Sequence, residues 1–115
     1  MTISPIPQRK HLDKGGIQIW IWANVKEGAE LDVLSPGSGD FYVQVIGTFG
    51  GASVVFDGSL NAVVFGALPR GLGESSTIGN SNVVSFSGGI PWIRPRLVGG
   101  NDTTDLNILL SAVQS

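Results

Sequence analysis

Paired glycines cut this chain into short β-rich runs, and that punctuation constrains its fold more than any other feature. Gly15-Gly16, Gly50-Gly51, Gly88-Gly89 and Gly99-Gly100 separate segments dominated by Val, Ile, Leu, Phe and Trp. Glycine supplies the positive φ that tight turns require, and β-branched and aromatic residues suit a pleated, half-buried surface. A chain of 115 residues with 17 glycines and turn signals at close, regular spacing reads as a single all-β domain, an antiparallel sandwich or a barrel.

The runs are legible one by one. Residues 1–16 read as an extended N-terminal arm, because Pro5 and Pro7 oppose helix and regular ladder pairing. Residues 17–115 form the β domain. Ile17–Ala23 is a strand, apolar on both faces apart from Gln18. Either it is buried on both sides or one face is an interface. Trp20 and Trp22 share one of those faces, and tryptophan is enriched at interface hot spots; equally, both rings suit a core. A short strand follows at Leu31–Leu34. Phe41–Phe49 and Ala52–Asp57 flank Gly50-Gly51 and read as a hairpin with a primed turn. Asp57–Asn61 reads as another turn and Ala62–Leu68 as a strand. Pro69–Asn82 is a long loop with at most a brief strand near Thr77. Val83–Ser87, Trp92–Val98 and Leu106–Val113 complete the set. Pro95 places Trp92–Val98 at an edge or a bulge. Leu106, Leu109, Leu110 and Val113 also fit a helical spacing, but Asn107, Ser111 and the turn before them favour strand.

Catalytic chemistry is hard to assemble from these residues. There is no cysteine and a single histidine, His11, placed in the arm and away from any scaffold that would hold it against a nucleophile. Asp57, Asp102 and Asp105 fall at turns, where aspartates usually cap their own backbone. Asp57–Asn61 departs from calcium-loop spacing and lacks the closing glutamate. Gly71-Leu72-Gly73 is followed by Glu74 rather than the lysine of a phosphate loop. The expectation is a protein that is not an enzyme, with no cofactor and no metal.

Charge narrows the partners. Charged residues make up 14% of the chain, against about 25% in an average protein, so apolar surface is left to meet a partner. The net charge of −2 does not suggest nucleic acid or an anionic membrane. No run approaches the ~18 apolar residues of a transmembrane helix, and Met1–Pro7 does not read as a signal peptide. The balance is uneven: residues 1–26 carry Arg9, Lys10, Lys14 and Lys26 against Asp13 alone, while the remainder is acidic. A basic arm on an acidic body suits an acidic neighbour, or is simply solvated. Trp92-Ile93-Arg94-Pro95-Arg96 places Trp92, Arg94 and Arg96 on one strand face. The two arginines either anchor a partner's carboxylate or cover Trp92 with their stems.

Three stretches, Val43-Gln44-Val45-Ile46-Gly47-Thr48-Phe49-Gly50-Gly51-Ala52-Ser53-Val54, Asp57-Gly58-Ser59 and Ile93-Arg94-Pro95-Arg96-Leu97-Val98-Gly99-Gly100, resemble small proteins encoded among the head genes of tailed bacteriophages, the capsid decoration (cement) proteins. Trp22-Ala23-Asn24 is similar to the first strand of that family, and the resemblance spans residues 17–113. One stretch departs: the family commonly has Asn-Asp-Gly-x-x-Trp after the Gly-Ser, where this chain has Leu60–Phe65. The resemblance implies a jelly-roll-like β-sandwich on the outer surface of the virion. It implies a homo-oligomer, a trimer before a dimer, that binds between major capsid subunits and stabilises the shell. Ile6, Arg9, Lys10, Trp20, Trp22, Arg94 and Arg96 are the candidate contact residues. Two other readings stand beside it: a carbohydrate-binding sandwich of a fibre or lectin-like module, with Trp20 and Trp22 stacking on sugar rings, and a neck, tail or minor head protein.

Overall fold

The computed structural model describes residues 2–9, 17–35, 41–67, 77–81, 83–86 and 91–113. These contain eleven strands and no helix: β1 (Thr2–Ile3), β2 (Ile6–Arg9), β3 (Ile17–Val25), β4 (Glu30–Leu31), β5 (Phe41–Thr48), β6 (Ser53–Ser59), β7 (Gly66–Ala67), β8 (Thr77–Ile78), β9 (Val84–Phe86), β10 (Trp92–Val98) and β11 (Asp105–Val113).

Two antiparallel sheets dominate. One has the order β2-β3-β11-β5-β9; the other runs β10-β6-β7, with β8 also paired to β6. The short β1 pairs in parallel with β4. Period-two alternation sets the inner face of each long strand. Phe41, Val43 and Val45 of β5 are buried, as are Leu106, Ile108, Leu110 and Ala112 of β11. Val54 and Phe56 of β6, Ile78 of β8 and Ile93 of β10 join them in one core. Aromatic rings bridge the two sheets: Trp22 meets Phe56 edge-on at 6.5 Å, and Phe56 meets Phe86 at 5.6 Å.

A β-bulge in β3 gives that strand its inward face. The register with β11 shifts between Leu106 and Ile108, so β3 carries one extra residue between Trp22 and Val25. Asn24 takes up the slack at φ +55°, a left-handed conformation that asparagine tolerates better than most residues. Its N–H donates to Asn107 Oδ1 at 3.1 Å. Trp22 and Val25, three residues apart, are both turned into the core and fully buried.

The expected hairpin at Gly50-Gly51 is corrected. The turn is of the expected primed kind, with φ +58° and +82° and an Ala52 N–H···O Phe49 bond of 2.9 Å. However, β5 pairs with β11 and β9, while β6 pairs with β10, β7 and β8. The turn therefore passes the chain from one sheet to the other. A second turn holds it in place: Thr104 Oγ1 donates to the Phe49 carbonyl at 2.9 Å. A Cβ on Gly50 would meet the side chains of Asn101, Thr103 and Thr104 at 2.6–2.8 Å. Turn geometry is local, and it does not say whether the strands it joins will share a ladder.

The expectation that Pro5 and Pro7 oppose regular ladder pairing is corrected where the arm is described. β2 forms a regular antiparallel ladder with β3, with Pro7 opposite Trp20. It does so as the outermost strand of its sheet, where proline is tolerated. Lys10 and His11, like the rest of 10–16, lie outside the described residues. Pro95 meets its expectation, since β10 is the edge of its sheet. Ile93 exchanges both backbone hydrogen bonds with Leu34, outside the ladder to β6. Pro95 has the same parity as Ile93, so its missing N–H falls on the outer side and removes no ladder bond.

Candidate interaction surface

Asp57 organises the outer face of the smaller sheet. Read from sequence as a turn residue, it lies instead within β6, where its residue retains only 4% of its surface. Trp92, Arg94 and Arg96 stand opposite Ser59, Asp57 and Val55 across the β6–β10 ladder. Ile93 and Pro95, between them, are buried on the core side. Alternation thus brings Trp92, Arg94 and Arg96 onto one face, as expected, and adds a buried carboxylate beneath them.

The cluster has two arginines and one acid. Arg96 Nε donates to Asp57 Oδ2 at 2.9 Å and its second guanidinium nitrogen to Oδ1 at 3.4 Å. This hydrogen bond, and then the charge of Asp57, raise the Arg96 pKa above the ordinary arginine value, against a small desolvation effect. Arg94 is held differently. Its guanidinium is 4.0 Å from Asp57 Oδ2 and lies over the Phe65 ring at 4.3 Å, a cation–π geometry. One buried anion between two cations leaves a net positive site. Arg94 and Arg96 keep 38% and 50% of their side-chain surface, so both still face solvent. A guanidinium presents its donors in a fixed planar fork that matches a carboxylate; Arg96 turns that fork onto Asp57, and the solvent-facing part of Arg94 has the chemistry to meet an anionic group.

Beside it runs a groove of about 470 Å³ between β4 and the outer edge of β10, lined in part by Glu30, Asp32, Arg94, Arg96 and Leu97. Beyond Ile93 no described strand pairs with that edge of β10.

The remaining candidate residues are dispersed. Ile6 is 51% exposed on β2, opposite Ile21. Ile21 in turn stands opposite Leu109, so an apolar row crosses the outer face of the larger sheet. Arg9 closes β2, but its side chain, like Lys10, lies outside the described residues. Trp20 is half-buried and packs against the core. Trp22 is corrected as a contact residue: it is fully buried and its indole N–H donates to the Asp32 carbonyl at 3.2 Å. The two tryptophans do share a face, but it is the core face, so they form no platform for a sugar ring.

Sequence reasoning missed Asp57 and Phe65. The signal for Asp57 was its parity with Val55 on a run that continues to Ser59. The supposed hairpin hid it, because only the pairing of β6 with β10 sets the acid opposite Arg94. Among the described residues no three His, Cys, Asp or Glu side chains gather as a metal site would require. Comparison with protein-family models finds no match, and comparison with curated proteins finds none either.

Proposed function

We propose that this chain is a structural virion protein: a jelly-roll-like β-sandwich that decorates a phage capsid and stabilises it by binding between major capsid subunits as a homo-oligomer, a trimer before a dimer. The observation that carries the reading is the surface. Among the described residues Ile6, Tyr42, Ile46, Leu60, Val63, Val64, Val83 and Val98 are all exposed, in a chain with few charges. Leu60, Val63 and Val64 lie together in one loop, and clustered exposed apolar side chains mark protein–protein contact. The Asp57–Arg94–Arg96 cluster adds a directional anchor for a carboxylate, and such complementarity supplies specificity. An oligomer multiplies modest contacts into a durable clamp.

The sugar-binding reading loses its aromatic pair to the core. A neck, tail or minor head role differs from decoration in stoichiometry, which quantitative mass spectrometry of purified virions measures. Decoration predicts a copy number in fixed proportion to the major capsid protein. A copy number matching a single vertex would overturn it.

A further inference from the structure

The loop after β6 is a braced apolar finger. Leu60, Val63 and Val64 are 74%, 78% and 72% exposed, three large aliphatic side chains within five residues. A slack loop would fold such side chains against the body. Here two side-chain oxygens hold the backbone instead. Ser59, itself buried, accepts from the N–H groups of Asn61 at 3.2 Å and Ala62 at 2.9 Å through its Oγ. Asn61 Oδ1 accepts from the N–H groups of Val63 at 2.9 Å and Val64 at 3.0 Å. Ser59 Oγ donates to Asn61 Oδ1 at 3.0 Å and joins the two halves. Ala62 sits at φ +62°, a conformation that costs energy in a residue with a Cβ and persists only where its surroundings impose it. Four consecutive backbone donors are satisfied within the loop, and the apolar side chains are left facing out. Such a preformed loop loses little conformational freedom when it docks.

The root of the finger is the arginine cluster. Phe65, which ends it, lies under Arg94, and Ser59, which begins it, stands opposite Trp92. An aliphatic tip and a net positive base are therefore adjacent on one surface of the molecule. We infer that residues 60–64 insert into an aliphatic pocket of the major capsid subunit, with a carboxylate at the pocket rim received by Arg94; this rests on the capsid-decoration reading and identifies the surface of the molecule that faces the shell. Charge complementarity selects a protein carboxylate over an anionic lipid surface, because the chain is acidic overall and Asp57 cancels one of the two cations at the site.

The test compares wild type with the double variant Val63→Asp/Val64→Asp, and with Leu60→Ser as a milder change, in binding to undecorated heads of the phage that encodes the chain. These side chains are exposed, so both variants should keep the wild-type circular dichroism and sedimentation coefficient. The expected result is at least a hundredfold loss of head affinity for the double variant and a smaller loss for Leu60→Ser. Wild-type affinity in both variants overturns the inference and leaves the decoration reading standing. A variant that loses head binding only because its oligomer falls apart also overturns it, since the finger then seats in a second copy of the chain. Flotation of wild type with phosphatidylcholine/phosphatidylglycerol vesicles, abolished by the same variant, overturns it in favour of a membrane. Failure of wild type itself to bind heads overturns the decoration reading, and with it the partner named here.

Discussion

Trp22→Ala should cost about 3–5 kcal/mol of unfolding free energy, the range for truncating a fully buried large aromatic. For a domain of this size that corresponds to a fall in melting temperature of roughly 10–25 °C. Trp22 has no exposed surface, meets Phe56 across the core at 6.5 Å and ties the loop after β4 through its bond to the Asp32 carbonyl. Trp22→Phe separates the two contributions. It keeps much of the apolar volume but loses the N–H donor and its part-buried bond to the carbonyl of the exposed Asp32, a cost of about 0.5–1.5 kcal/mol. Scanning calorimetry with urea titration measures both. A Trp22→Ala variant melting within a few degrees of wild type would mean that the ring does not hold the two sheets together.

Asp57→Ala should be the next most damaging change, at about 2–4 kcal/mol. It removes the carboxylate that accepts the Arg96 fork and lies 4.0 Å from Arg94, leaving two like charges side by side. The arginines are partly exposed, so solvent screens part of that repulsion, and the figure sits below that of a fully buried pair. Asp57→Asn keeps the shape and loses the charge, and should fall between wild type and alanine. A double-mutant cycle of Asp57→Ala with Arg96→Ala isolates the pair and should give a coupling of about 1 kcal/mol or more. Zero coupling would mean that Asp57 does not organise this face.

The strands were legible wherever alternation was strong. Phe41–Thr48 shows apolar residues at every second position; Asp105–Val113 alternates too, and although Leu106, Leu109, Leu110 and Val113 also fit a helical spacing, Asn107, Ser111 and the turn before them favour strand. Pro95 announced its edge position because a missing N–H has few places to go. What alternation does not encode is which strand lies beside which. The primed turn at Gly50-Gly51 is the commonest sign of a hairpin, yet here the 101–104 turn grips it and the chain crosses to the other sheet. That single difference decides where Asp57 lies. Of the expected strand at Ala62–Leu68, Gly66–Ala67 is strand and Ala62–Phe65 is not, because Ser59 and Asn61 claim the backbone donors there; Leu68 lies outside the described residues. Trp22 was separable from an interface residue only through the bulge at Asn24, which no periodicity shows.

The central proposal is that this chain binds a capsid shell, and the most direct measurement is light scattering or mass photometry of the purified protein, alone and then mixed with undecorated phage heads. Decoration predicts a stable small oligomer that adds to the heads until it reaches a fixed ratio to the major capsid subunits. A monomer that leaves the mass of the heads unchanged would contradict it.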